Sequence, residues 1–195
     1  MSRLSPLDRG ALARLAPMLE LVEASMGFVP NSLLIMARRP ELVEAFAGLS
    51  AAVMRNSQLP AGLSSLVAFV VSRSSGCRYC QAHTHHQAAR SGLPDEKLDE
   101  IWNYESSELF SDAERAALRV AQSAAAAPNA VTDADFAQLH DHFSEDQIIE
   151  IISIISFFGF LNRWNDTLAT PLEDAPFDHA KSRLSGHGWT AGKHR

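Results

Sequence analysis

The stretch LPAGLSSLVAFVVSRSSGCRYCQAHTHHQAARSG, residues 59–92, decides the fold. Its first half is apolar on nearly every face. The β-branched run LVAFVV, residues 66–71, suits a buried strand by propensity. Context argues for helix. LPAGLSS is a serviceable helix start, and the segments on both sides carry helical periodicity. The second half, CRYCQAHTHHQAARSG, continues as helix and stops at Gly92.

Upstream, residues 8–27 (DRGALARLAPMLELVEASMG) place apolar side chains at helical spacing and end at Gly27, a suitable helix-ending residue. A turn at Pro30-Asn31 precedes a short helix capped by Asn31 or Ser32, and Pro40 opens another. Downstream, LPDEKLDEIWN (93–103) begins with Pro94 and acidic residues in its first turn. Ser111 with Glu114 and Thr132 with Asp135 have the spacing of capping boxes. The longest helical pattern is SEDQIIEIISIISFFGFLNRWNDTLA, residues 144–169. No alternating strand pattern with hairpin turns is present. The expected fold is all-α, a single domain over 1–170 with a first half at about 40–105 and a second at about 111–170. The polar segment 171–195 is expected to be an irregular tail.

An offset of 85 residues lays Ser65 over Glu150, Cys77 over Asn162 and Cys80 over Asn165. A duplication on that register would pack two helical hairpins face to face, one of them carrying the cysteines.

Composition narrows the function classes. With 46% apolar and 21% charged residues the chain of 195 is an ordinary globular sequence. A net charge of -6 without basic blocks gives no electrostatic grip on nucleic acid. The N-terminus lacks the apolar core and small-residue cleavage site of a signal peptide. The run IIEIISIISFFGFL (148–161) contains Glu150 and is shorter than a membrane span, so no membrane partner is expected and a cytoplasmic location is. The apolar helices at 64–71 and 148–161 exceed what one small bundle needs, which suggests an obligate homo-oligomer.

Both cysteines lie three apart, at Cys77 and Cys80. In a reducing compartment such a pair is redox-active or metal-binding rather than a structural staple. On a helix the two share a face, and a start-of-helix position favours the thiolate. A metal would recruit His83 beside Cys77 and Cys80, but one helix cannot wrap four ligands round a tetrahedral ion, so no metal or cofactor is expected. His83 stands three residues beyond Cys80 and within reach of its sulfur. His85 and His86 read as exposed or capping side chains, His140 and His142 as surface positions, and His179, His187 and His194 as tail residues without partners.

The motif CRYC followed by histidine, within SRSSGCRYCQAHTHHQAARSGLPDEKLDEI (72–101), resembles the signature of the AhpD-like, carboxymuconolactone decarboxylase superfamily. GFVPNSLLIMARRPEL (27–42), SDAERAALRVAQ (111–122), FLNRWNDTLAT (160–170) and GHGWTAGKH (186–194) resemble its peroxidase-related branch. The resemblance implies a helical fold that associates as dimers, trimers or hexamers. It implies an alkylhydroperoxidase-like, thiol-dependent oxidoreductase with a hydroperoxide substrate and a thiol or protein reductant. Cys80 would be the peroxidatic thiol and Cys77 the resolving one. The family's relay carboxylate and imidazole fall on Ser65 and Thr84, and neither is a general base near neutral pH. His83, one place earlier, and Glu150, from the facing half, are the expected substitutes. A redox-responsive or ligand-binding oligomer and a lactone decarboxylase-like enzyme are the alternatives.

Overall fold

The computed structural model describes residues 2–195, and every regular element among them is helical. The helices are α1 (Ala16–Met26), α2 (Asn31–Met36), α3 (Pro40–Met54), α4 (Leu63–Ser74), α5 (Arg78–Arg90), α6 (Asp95–Asp99), α7 (Asp112–Ala124), α8 (Asp133–His142), α9 (Glu145–Leu168) and α10 (Asp174–Arg183).

The run LVAFVV forms the middle of α4, the buried axis of the molecule. Leu66 to Ser72 are all buried, and α5, α7 and α9 pack around them. A helix that is apolar all round belongs inside. There it satisfies its own backbone groups, and each fully buried Leu, Val or Phe contributes roughly 1.5–3 kcal/mol, more than the β-propensity that argued for a strand. Gly62 starts α4 with a φ of +84°, and the Leu93 side chain lies against its Cα. A β-carbon would be strained there both by the backbone and by the neighbour.

The capping boxes form at Ser111 with Glu114, at Thr132 with Asp135, and at Ser144 with Gln147. The apolar run 148–161 lies within α9 and buries Ile148, Ile151, Ile154, Ile155 and Phe157. Among the described residues no helix is long and apolar enough to cross a membrane. A smaller cluster of Leu12, Leu15, Leu19, Leu33, Met36 and Val43 ties α1, α2 and α3 to the edge of the main core through Phe46.

Two expectations are corrected. Residues 59–92 are not one continuous helical course. Ser75 and Gly76 break it, Gly76 at a φ of +74°, and Cys77 is the extended residue that caps α5. The segment 171–195 is also not irregular. It forms α10 and two short 3-10 turns, and it buries Ala180, Leu184, Trp189 and His194. Its polarity hid this because many of its polar groups have partners. Arg183 binds Asp95 and Asp99, and Trp189 Nε1 donates to the Arg78 carbonyl. The polar side chains therefore anchor the segment across α5 and α6.

Candidate active site

Cys77 and Cys80 meet at the start of α5. The Cys80 backbone N–H donates to Cys77 Sγ at 3.4 Å, and both cysteines are free thiols. The Cys80 thiol also donates to Cys77, and with backbone N–H groups at the helix start it holds the Cys77 pKa below the ordinary thiol range despite burial. Cys80 is pushed well up by burial and by the negative charge collecting on Cys77. The ionisations of the two thiols are therefore linked, with the charge favoured on Cys77. Asn165 Nδ2 on α9 donates to Cys80 Sγ at 3.5 Å.

The two sulfurs differ in access. Cys80 lies at a cavity of about 460 Å³ whose wall is mostly apolar, including Val22, Met54, Phe157 and Leu161. Ser65, His83 and Thr84 also line it, so three of the sequence-predicted site residues share a space with Cys80. Cys77 is fully buried behind Cys80, away from that wall. A second cavity of similar volume, beside Gly62 and Leu93, has no thiol or imidazole in its lining.

The predicted substitutes separate. Glu150 does not approach Cys80. Its Oε2 accepts from the Gln58 N–H at 3.0 Å. On α9 it stands 15 residues before Asn165, about 22 Å along the axis. The Thr84 hydroxyl donates to the Cys80 carbonyl at 2.7 Å and is spent on its own helix. His83 Nε2 turns to Glu173 Oε2 at 2.6 Å, and its ring stacks on Tyr79.

Glu173, just ahead of α10, is the residue that sequence reasoning missed. Its Oε1 accepts from the Tyr79 hydroxyl at 2.9 Å and from the Asn31 N–H. Burial pushes its pKa up, but the His83 imidazole and the hydrogen bonds outweigh burial and hold the carboxyl below its usual range. A carboxylate only accepts, so His83 Nε2 carries the proton between them. The result is a Tyr79–Glu173–His83 cluster on the face of α5 that leads to Cys80.

Other histidines also change place. His85 is 1% exposed, and its Nδ1 meets His179 Nε2 at 2.8 Å. Burial and the neighbouring His179 push its pKa down to about 3. His86 and His179 are also lowered, mainly by burial, and His187 stacks on Trp102. His140 and His142 are surface positions as expected. Below its ordinary pKa near 6.5, the unfolded chain protonates a histidine that the folded chain keeps neutral. Stability is then lost as pH falls. His85 alone is expected to cost about 1.4 kcal/mol per pH unit from pH 6 downward. Urea unfolding between pH 7 and pH 5, above most carboxylate titration, measures this slope. His85→Asn is expected to be less stable at pH 7 but flatter across the window; an unchanged slope would remove the cluster as its cause.

Cys77 Sγ, an Asp166 carboxylate oxygen and a His194 ring nitrogen lie within 4.8 Å of one another. Three donors fall one short of the four that a closed zinc site takes.

The carboxymuconolactone decarboxylase family matches residues 40–123. The crystal structure of the debrominase Bmp8 superposes with a TM-score of 0.85 at 33% identity, covering 91% of this chain and 96% of that one. A cysteine-to-alanine variant of Bmp8, in complex with 2,3,4-tribromopyrrole, superposes at 0.86 with 32% identity, covering 92% and 96%. A peroxidase-related protein from Ralstonia eutropha JMP134 with an alkylhydroperoxidase AhpD core superposes at 0.78 with 26% identity, covering 90% and 94%. Among curated proteins, the uncharacterized YnjA of Escherichia coli K12 is 29% identical over 119 residues, which span 61% of this chain and 65% of YnjA. The match thus reaches just under two thirds of that relative's length.

Proposed function

We propose that this chain, which belongs to the carboxymuconolactone decarboxylase family, is a dithiol reductase that passes two electrons from Cys80 and Cys77 to an organic hydroperoxide. The observation that carries the reading is one reachable sulfur at an apolar cavity, with a second, fully buried sulfur 3.4 Å from the backbone nitrogen of the same cysteine. Cys80 attacks the terminal peroxide oxygen and gives its proton to Cys77, which starts as the thiolate. The O–O bond breaks, the alkoxide is protonated to alcohol, and Cys80 becomes a sulfenic acid. Cys77 then loses its proton and attacks the Cys80 sulfur. The S–S bond forms, the S–O bond breaks, and water leaves. Two thiols are oxidised, one peroxide is reduced, and an external dithiol or protein reductant reopens the disulfide. The apolar wall favours an organic hydroperoxide over hydrogen peroxide.

A second reading has its own support. The likeness to the debrominase Bmp8 and the apolar cavity suit a halogenated aromatic ring as two-electron acceptor. Two thiols and an aryl bromide then yield the arene, hydrogen bromide and the disulfide. A homo-oligomer completes the proposal, supported by exposed Leu21 and Ile149.

The reduced protein, freed of reductant under anaerobic conditions, is given cumene hydroperoxide or a polybrominated pyrrole. One equivalent of hydroperoxide consumed per chain, with loss of both thiols, is the expected result. Bromide release without peroxide consumption selects the second reading. A disulfide that forms under mild oxidants and alters oligomeric state, with neither substrate turned over, would replace both with a redox-responsive module.

A further inference from the structure

His194 enters the site from the far end of the chain. Leu172 N–H donates to its carbonyl at 2.9 Å, and its ring is fully buried. Nδ1 lies 2.8 Å from the Thr170 carbonyl oxygen, which can only accept, so Nδ1 carries the proton of the neutral ring. The lone pair is thereby fixed on Nε2. That nitrogen is buried and has no hydrogen-bond partner. It sits 3.6 Å from Asp166 Oδ1, and a ring nitrogen of His194 lies within 4.8 Å of Cys77 Sγ. A bare lone pair facing a carboxylate is electrostatically unfavourable, and a proton on Nε2 would turn the contact into an ion pair. The thiol within reach that can supply that proton is Cys77.

We propose that His194 is the proton acceptor for Cys77, oriented by the Thr170 carbonyl and supported in its charged form by Asp166. The arrangement of thiol, imidazole and carboxylate follows the general logic of an activated nucleophile: a base beside the sulfur and a third group holding the base. It serves the sulfur that the cavity does not reach. As Cys77 attacks the oxidised Cys80, its proton passes to Nε2, the S–S bond forms, and the Cys80 S–O bond breaks. The hydroxide leaves toward the cavity and takes a proton from solvent. The imidazolium later returns its proton to solvent. The oxidant is the hydroperoxide of the preceding reading, on which this step rests.

The charged and titratable groups facing His194 are few. Asp166 comes from α9 and is also paired with Lys193 at 2.7 Å. Tyr79, on α5, lies 6.0 Å away between ring centroids, and Cys77 caps the same helix. Burial and the nearby Lys193 keep the resting imidazole below its ordinary pKa, while Asp166 and the Thr170 carbonyl oppose them. The resting ring is therefore neutral and able to accept.

The test reads Cys77 without any turnover. In a Cys80→Ser background, which leaves a hydroxyl donor beside Cys77, the thiolate of Cys77 is followed by its ultraviolet absorbance against pH. Adding His194→Gln is expected to raise the ionisation midpoint by at least about one unit, a tenfold fall in thiolate at neutral pH. Asp166→Asn supplies a second variant with an opposite sign for the rival explanation. If Asp166 acts only as a nearby negative charge, its removal stabilises the Cys77 thiolate and lowers the midpoint. If it supports a His194 cation, its removal raises the midpoint. A midpoint that rises in Asp166→Asn supports the relay even if His194→Gln fails to fold. A lowered midpoint in Asp166→Asn, or an unchanged one in folded His194→Gln, overturns it. Failure of the wild type to reduce hydroperoxide would leave these midpoints untouched, so the two readings fail separately.

Discussion

Cys80→Ser is expected to abolish hydroperoxide turnover, a fall of roughly 10⁴-fold or more, the scale seen when a nucleophile is removed from a unit that acts together. A serine hydroxyl has no anion near neutral pH, and Cys77 cannot take over because it is fully buried behind Cys80 and away from the cavity wall. The fold should survive. Serine is nearly isosteric, and Asn165 Nδ2 keeps an acceptor within reach. Cys77→Ser should behave differently. Cys80 still meets peroxide, so each reduced chain consumes one equivalent in a burst and then stalls as the sulfenic acid. Peroxide consumed per chain in a single turnover, with mass analysis of the product, distinguishes the two variants. The comparison also tests the order of attack. The lower pKa belongs to Cys77 and the access to Cys80. A burst in Cys80→Ser and none in Cys77→Ser would mean that charge outweighs access and that the roles are exchanged.

The sequence revealed local structure well and long-range partnerships poorly, and the difference is physical. α4 was legible because its apolar run had a helix start before it and helices on either side. The capping boxes were legible because each lies within four residues. The dithiol was legible for the same reason. The groups that surround it were not. Glu173 reaches His83 across a separation of 90 residues, and Asn165 reaches Cys80 across 85. The offset of 85 laid Cys80 over Asn165 as matched positions without foreseeing that the two would touch. It also suggested Glu150 for the site, which fails because Glu150 lies about four turns before Asn165 on α9 and accepts from the Gln58 N–H instead. The segment after residue 170 was misread because its polar residues are pinned by partners invisible in sequence. His179 meets His85, and His194 sits behind Cys77. A lone glutamate between Leu172 and α10 gives no local signal of its role.

Glu173→Gln is therefore the sharper probe of what the folded chain adds to its motif. The carboxylate receives three converging donors, the Tyr79 hydroxyl, the Asn31 N–H and His83 Nε2. Glutamine has the same shape but must turn an NH₂ toward one of them, which sets donor against donor. A loss of about 1–3 kcal/mol of stability at neutral pH follows from that unsatisfied contact. The pH dependence gives the sign. A carboxyl whose folded pKa is depressed contributes stability above its unfolded pKa and loses it as pH falls through the folded value. The gap between wild type and variant should therefore be full at pH 7 and close in acid. Activity should fall further than stability. His83 lines the cavity beside Cys80, and Glu173 fixes both its ring and its tautomer. Without that hold the imidazole no longer presents its free Nδ1 lone pair to the O–H of the bound hydroperoxide, and general acid–base catalysis contributes typically 10²–10⁴-fold. A drop of about 10²-fold in kcat/KM is expected, with a changed pH profile and both thiols still titratable. Glu173→Gln that loses stability but keeps the wild-type rate and pH profile would reduce Glu173 to an anchor for α10. A loss of rate in chains shown to be folded makes it a positioning residue for the thiol chemistry.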